Sequence, residues 1–387
     1  MITAAISDMD RIRIAHFINP FLSVTENWIH SQLAWNTHCD HIVLCRSRLN
    51  ERQFPFDNVC CRYPSPGWRL RLDTLAARLR AQYPRAWYRR ALEREKPRIF
   101  HGHFVYESWR NFGLIRQAGL PLVTSFYGLD ITKLPRRWEW RPRYERLFSH
   151  GRIFICEGPH AARQVEQLGC PSEKIRIVRI GVDVERIRAL RAAGDQARVR
   201  VLFVGLGREK KGAEYAAAAF VMAHRTHPDL QLHLIGDGRH RSRVERILQD
   251  AGAIENAIFH GQVPVDKYLR LLGTMDLCLA PSVTAADGDT EGGAPVTVIE
   301  AQVAGIPVIG STHCDIPAIV AHGETGLLCP ERDVEALAHN LGMLANDRDL
   351  RMRMGDAAAR RAAENHDIRK QVLALTELYR SLLPELP

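Results

Sequence analysis

Short runs rich in aliphatic and β-branched residues recur along this chain, and the stretches between them are long enough to be helices. In the first half the runs are 12–18, 41–45, 98–100, 122–125, 152–155 and 175–178. In the second half they are 198–204, 231–235, 257–259, 277–280, 307–309 and 326–328. Strands separated by helical crossovers form parallel sheets covered on both faces. Two sets of strands are too many for one sheet of this length, so the pattern predicts an α/β protein of two doubly wound, Rossmann-like domains. They are placed at 1–183 and 198–366, with a linker in 182–197, where turn residues, charges and small residues gather. The segment 367–387 reads as a helix beyond the final strand, expected to pack back toward the N-terminal domain. In open sheets of this class, ligands sit at the carboxyl ends of strands, where helix N-termini present N–H groups. Two such domains face to face would make a cleft with one ligand on each side, which suits group transfer.

Several classes are excluded early. No apolar run approaches the roughly 18 residues that span a bilayer. The first ten residues include Asp8 and Asp10 and no apolar core, so no signal peptide is expected and the protein is placed in the cytoplasm. The nine cysteines are odd in number and scattered, without a Cys-x-x-Cys pair, which reads as reduced thiols and neither a disulfide framework nor a zinc site.

The formal net charge of +9 is unevenly spread. From 68 to 98 lie Arg69, Arg71, Arg78, Arg80, Arg85, Arg89, Arg90, Arg94, Lys96 and Arg98, against only Asp73, Glu93 and Glu95. A second cluster, Arg136, Arg137, Arg141, Arg143 and Arg146, is interleaved with Trp138, Trp140 and Tyr144. Such a surface attracts phosphates, on nucleic acid, on lipid headgroups or on a lipid-diphosphate substrate. No helix-turn-helix, zinc-finger or RNP pattern accompanies it, so nucleic acid is not expected. With Trp68, Leu70, Leu72, Leu75, Leu79, Tyr83, Trp87, Tyr88 and Leu92, the first stretch suits a helix lying on an anionic membrane. A solvated helix face is the alternative.

The most informative segment runs from Asp287 to Pro307. A turn at Glu291, Gly292 and Gly293, followed by Ala294, leads into a helix ending at Gly305, with Pro307 opening the next strand. Backbone N–H groups at that turn suit a sugar's hydroxyls or a diphosphate. Glu300, inside the helix, can accept from two vicinal ribose hydroxyls, since both carboxylate oxygens are acceptors. A second segment, Phe203-Val-Gly-Leu-Gly-Arg-Glu-Lys-Lys-Gly212, directly follows a strand. Asp287-Gly-Asp289 has the look of a metal motif but precedes the Glu291 turn in a loop, and no metal is expected there.

These segments resemble the retaining glycosyltransferases of the two-domain GT-B type, family 4 (group 1), of the colanic-acid and exopolysaccharide kind. Glu300-Ala301 and Gly305-Ile306-Pro307-Val308 carry the likeness, as does Lys211-Gly212. So do Ile99-Phe-His-Gly-His-Phe104, Thr124-Ser-Phe-Tyr-Gly-Leu-Asp130, Glu173-Lys-Ile175 with Gly181-Val-Asp183, and His322-Gly-Glu-Thr-Gly-Leu-Leu328. It extends over nearly the whole chain. Glu291 stands one residue further from Glu300 than the family's pair, Leu206 occupies the family's Arg position, and Tyr127 stands where many relatives have a histidine.

The resemblance implies a UDP- or GDP-sugar donor on the second domain. Arg208, Lys211 and Glu291 would act at the transferred group, with Arg208 supplying the charge missing at Leu206, and Gly205, Gly292, Gly293, Ala294 and Glu300 would bind the donor. An Arg fork and a Lys charge would neutralise the leaving diphosphate without a metal or other cofactor. His103, Tyr127 and Asp130 fall on the acceptor side. The implied acceptor is a saccharide, free or on a polyprenyl diphosphate at the inner face of the plasma membrane, in bacterial polysaccharide biosynthesis. Retention would follow front-face departure of the diphosphate, which takes the acceptor's proton. A hydrolase would need two carboxylates opposed across the scissile bond, whereas Glu291 and Glu300 lie on one loop–helix unit. The rivals are a nucleotide-sugar epimerase of the same shape and a catalytically silent sugar-nucleotide-binding partner.

Overall fold

A computed structural model describes residues 11–64, 67–78, 85–192 and 198–383. The chain divides into two compact units. The first takes the chain as far as Glu157, then Ala161–Gly181 and the C-terminal stretch from Ile368; the second takes Gly158–His160 and Val182–Asp367.

In the first unit seven parallel strands run β1 (Ile12–Phe17), β2 (Cys39–Ser47), β3 (Val59–Tyr63), β4 (Ile99–His103), β5 (Leu122–Ser125), β6 (Ile153–Cys156) and β7 (Ile175–Ile177), in the order β3-β2-β1-β4-β5-β6-β7. In the second, six parallel strands run β8 (Val199–Val204), β9 (Leu230–Ile235), β10 (Ala257–Gly261), β11 (Leu277–Ala280), β12 (Val308–Ser311) and β13 (Gly326–Cys329), in the order β10-β9-β8-β11-β12-β13. The central strands are buried on both faces, as parallel sheets require. Each order reverses direction once, between β1 and β4 and between β8 and β11. Those are the places where open α/β sheets leave a crevice beyond the strand ends.

Four findings depart from the sequence reading. The first half holds a seventh strand, β3, whose Val-Cys-Cys-Arg-Tyr run is half-buried at the sheet edge and lacks the full apolar signature of its neighbours. The stretch read as a linker contains a helix, Val184–Ala189, whose Val184 and Ile187 are buried. The Asp183 carboxylate caps it by accepting the Arg186 N–H, and the helix packs against Val296–Val303; 193–197 lie outside the described residues. The sequence after β1 offers Ser23, Thr25 and Asn27 as caps of the next helix or as acceptor contacts, yet none gives a side-chain cap to the helix Asn27–Trp35; instead the Glu26 carboxylate accepts the Ser23 N–H.

The fourth concerns the basic stretch, which forms two helices, Trp68–Arg78 and Arg85–Glu95, with 79–84 outside the described residues. Tyr88 and Leu92 are core residues, not interfacial ones. Trp140 and Tyr144 are likewise buried, and the Arg143 guanidinium lies over the Trp140 ring. What remains exposed is Trp138 in the second cluster and, in the first, a stripe of Trp68, Leu72 and Leu75 at one-turn spacing, with Arg69 and Arg71 beside it. Among the described residues no helix is long and apolar enough to cross a membrane.

The last helix, Ile368–Arg380, lays Leu375, Leu378 and Tyr379 on the face of the first sheet formed by Ile12, Ile14, Ile99, Val123 and Ile155. Alternate residues of β1, β2 and β4 reach this same face, and they include His16, His41, His101 and His103.

Candidate active site

β8 ends at Val204, and the chain must turn at once. Gly205 has φ +132°, and a Cβ there would lie 2.5 Å from Lys211 Cγ, so its bare backbone is what lets the Lys211 stem lie across the turn. Gly212, at φ +72°, passes so close to the Pro281 carbonyl oxygen that an added Cβ would sit 1.9 Å from it. Between the two glycines the short 3-10 turn Glu209–Lys211 sets Lys211 beside the carboxyl ends of β8 and β11. A cavity opens at this strand-order reversal, lined by Val204, Lys211, Ala280, Ser282, Pro295 and Thr297.

Lys211 does not stand free. Its Nζ is 3.0 Å from Glu291 Oε1 and 3.1 Å from Oε2, and the Ser282 hydroxyl donates to Oε1 at 2.8 Å. Burial alone pushes the Glu291 carboxyl up. The Lys211 and Lys210 ammonium groups and the Ser282 hydroxyl outweigh it, holding the group below the ordinary carboxylate range. The result is a desolvated ion pair at a helix entrance, able to exchange its internal partner for an anionic ligand.

The second cation near Glu291 is Lys210, where the sequence points to Arg208. Lys210 Nζ reaches the Thr290 carbonyl at 2.7 Å and Asp289 at 3.3 Å. Arg208 is largely exposed and 3.9 Å from Asp289. Leu206 is fully buried in the core of the second unit, so this chain has no room for a cation there. The Asp289 carboxylate therefore faces the Lys210 ammonium and the Arg208 guanidinium. Among the described residues, the one group of three His, Cys, Asp or Glu spaced to share an ion is His16, His101 and His103, in the first unit.

The Glu291 loop is braced by residues the motif does not reveal. The Glu291 backbone N–H donates to His313 Nε2 at 3.1 Å, and His313 Nδ1 lies 2.6 Å from Glu331 Oε1. An ionised carboxylate only accepts, so Nδ1 carries the proton and Nε2 is free to take the loop's N–H. Gly292, at φ +77°, donates its N–H to the Thr290 hydroxyl, and Gly292, Gly293 and Ala294 are buried.

Glu300 lies further along the same helix, Val296–Val303, away from Lys211. It is buried, and Tyr268 donates its hydroxyl to Oε2 at 2.8 Å. Burial pushes its carboxyl up to about 7, against the lowering effect of the Tyr268 bond.

Residues 190–361 match the profile described as "Glycosyl transferases group 1", and residues 36–186 match "Glycosyltransferase Family 4". WcaL of Escherichia coli K12, named for colanic acid biosynthesis, is 30% identical over 280 residues, which are 71% of this chain and 68% of WcaL. The chain belongs to the group 1, family 4 glycosyltransferases. The amylovoran biosynthesis glycosyltransferase AmsK of Erwinia amylovora is 34% identical over 217 residues, 56% of this chain and 53% of AmsK, so the match spans about half of that relative. The solved structure of Anabaena Alr3699/HepE in complex with UDP and glucose superposes with a TM-score of 0.76 at 16% identity, over 96% of this chain and 100% of the other. Its two doubly wound sheets are those of the GT-B class.

In the first unit of this glycosyltransferase the sequence singles out His103, Tyr127 and Asp130. His103 and Tyr127 are brought together, with His103 Nδ1 3.0 Å from the Tyr127 hydroxyl. Asp130 stands behind them. It is fully buried, Oδ1 accepts the Val105 N–H at 3.1 Å and Oδ2 accepts the Tyr127 N–H at 3.0 Å, so its carboxylate braces two chain turns where an acceptor contact was expected. Asp130→Asn sets an amide NH2 against one of those N–H groups. It is expected to lower stability by about 1–3 kcal/mol, read by thermal unfolding. An unchanged melting temperature would remove Asp130 from this role.

Proposed function

We propose that this glycosyltransferase moves a hexose from a UDP- or GDP-sugar to a saccharide acceptor in bacterial exopolysaccharide biosynthesis, with retention of anomeric configuration and without a metal. The observation that carries the reading is the Lys211–Glu291 pair at the carboxyl ends of β8 and β11, beside the start of the helix Val296–Val303. A donor diphosphate arriving there would compete with Glu291 for the Lys211 ammonium. The freed carboxylate would then accept from a hydroxyl of the transferred sugar. Glu300 would take the ribose. Charge stabilisation of the departing diphosphate falls to Lys211, with Lys210 next to it and Arg208 at the rim. The names of WcaL and AmsK support the exopolysaccharide assignment, and UDP bound by Alr3699/HepE supports a nucleotide-sugar donor.

A panel of UDP- and GDP-sugars, assayed for thermal stabilisation and slow hydrolysis, tests the donor. One member should stabilise the protein and be hydrolysed without acceptor; release of an epimerised nucleotide-sugar would replace this reading by an epimerase. The same assay in EDTA tests the metal. Turnover is expected to survive chelation, and loss restored by magnesium would overturn the metal-independent mechanism. The anomeric configuration of the transferred sugar, read by NMR coupling constants, decides retention.

The acceptor proposed is lipid-linked, on an anionic membrane face. Exposed Trp68, Leu72 and Leu75, with Arg69 and Arg71 beside them, fit the headgroup boundary, where each basic residue contributes about 1 kcal/mol. Sedimentation with vesicles should require anionic lipid, weaken as salt rises, and fall with Trp68→Ser combined with Leu72→Ser. Equal binding to neutral vesicles, or none to anionic ones, returns the stripe to an ordinary solvated face.

A further inference from the structure

The first sheet carries an unusual interior. His16, His41, His101 and His103, from β1, β2 and β4, are all buried on the face covered by the last helix. They form a continuous chain. His41 Nε2 is 3.0 Å from the Asn36 carbonyl oxygen, and His41 Nδ1 is 2.8 Å from His16 Nε2. His16 Nδ1 is 3.1 Å from His103 Nε2, and His103 Nδ1 meets the Tyr127 hydroxyl. His101 forms a side branch, with Nδ1 2.6 Å from the Tyr379 hydroxyl and Nε2 2.8 Å from Ser125 Oγ.

His16, His101 and His103 are close enough to share a metal ion, but every one of their ring nitrogens already has a hydrogen-bond partner. An ion would have to break those bonds. Burial, and secondarily the neighbouring imidazoles, push His16 and His101 well below their ordinary range, His103 down to about 3 and, through burial, His41 down to about 4. All four are therefore neutral near pH 7, each with one donor and one acceptor nitrogen.

That fixes the direction of every bond along the chain from His41 to Tyr127. The Asn36 carbonyl can only accept, so His41 carries its proton on Nε2 and accepts on Nδ1. His16 must then donate from Nε2 and accept on Nδ1, and His103 must donate from Nε2 and accept on Nδ1. The Tyr127 hydroxyl is left to donate inward. Tyr127 lines a cavity of the first unit together with Trp28, Gln32, Glu157, Arg179 and Gln371. Burial and the Glu157 charge push the Tyr127 phenol above its ordinary range, against the lowering approach of the Trp28 indole N–H and the Ser125 hydroxyl; the Trp28 N–H is buried with no completed hydrogen bond.

We propose that the His41–His16–His103 chain is a positioning device that holds Tyr127 as a one-way hydrogen-bond acceptor, so that this cavity selects a sugar hydroxyl that donates to Tyr127 and accepts from Trp28. Tyr127 and Trp28 are the binding groups, and the histidines act through Tyr127. The hydroxyl belongs either to the acceptor saccharide or to the donor's sugar. Its identification as a sugar hydroxyl rests on the glycosyltransferase reading above, but the polarity of the chain does not.

Two measurements test this on the full-length protein. In protein labelled with 15N-histidine, two-bond proton–nitrogen correlations report which ring nitrogen is protonated, and they need no substrate. His16, His41 and His103, assigned through single His→Gln variants, are expected as Nε2–H tautomers; an Nδ1–H tautomer at His16 or His103 overturns the proposal. In kinetics, Tyr127→Phe should raise one KM about tenfold with little change in kcat. His103→Leu should raise the same KM, and His103→Asn, which keeps an acceptor near the Nδ1 position, should restore it. A rise in acceptor KM assigns the hydroxyl to the acceptor, and a rise in donor KM assigns it to the donor sugar. Unchanged KM values in Tyr127→Phe overturn the proposal, whereas failure of the wild type to bind any nucleotide-sugar overturns the donor reading alone.

Discussion

Glu300→Ala is expected to weaken donor binding at least about a hundredfold while lowering stability by no more than about 1–3 kcal/mol. Two hydroxyls held by one carboxylate are charge-assisted bonds, each contributing about 1.5–3 kcal/mol, so losing both removes two or more orders of magnitude in Kd. Stability responds differently because the ionised group is buried. Its folded value of about 7 lies above the ordinary 4.5, so its contribution to stability is complete below 4.5 and is lost as pH rises through 7. The variant lacks that pH dependence, and its main structural loss is the partner of the Tyr268 hydroxyl. The same value gives the wild type a signature. Ribose hydroxyls favour the carboxylate, so donor binding releases a proton, and affinity falls by up to roughly tenfold for each pH unit below 7. Calorimetry across that range in buffers of different ionisation heat checks both statements. Near-normal donor affinity in Glu300→Ala would end the assignment of Glu300 to the donor.

Lys211→Met has the second large effect, on two quantities at once. Turnover should fall about 10²–10³-fold, the usual consequence of removing one group that stabilises a developing anion. From sequence alone Lys211 reads only as a charge that meets the donor's diphosphate. The structure pairs it instead with a carboxylate whose side chain is only 6% exposed, and breaking such a pair from one side costs about 3–5 kcal/mol by stranding the other charge. The double variant Lys211→Met with Glu291→Gln removes the stranded charge. It should recover most of the lost melting temperature and none of the turnover. If the single variant melts normally, the ion pair is not the brace described here.

The two effects also separate the two glutamates. Glu291 is held ionised by Lys211, Lys210 and Ser282, while Glu300 is held near its titration point by burial and one tyrosine. They lie nine positions apart on one loop–helix segment, and the sequence offers no sign that their environments diverge. That divergence is set by Lys211, 80 positions before Glu291, and by Tyr268, 32 positions before Glu300.

Much of the rest was legible for a simple reason. Strand and crossover periodicity is a local property, and so is a glycine turn that ends a strand, which is why twelve of the thirteen strands and the Gly205–Gly212 and Glu291–Gly293 turns could be located from residues alone. β3 escaped because an edge strand need not be apolar on both faces. Tyr88 and Leu92 were misplaced because an Arg-rich helix with one apolar side looks the same whether that side meets a core or a membrane. Tertiary structure alone decided the pairings: Lys210 and not Arg208 beside Glu291, His313 and Glu331 behind the loop, and a histidine chain assembled from residues as much as 87 positions apart. Sequence patterns fix which face of a strand a side chain occupies. Which side chain it meets there depends on sheet order and register, and those are settled by the packing of the whole unit.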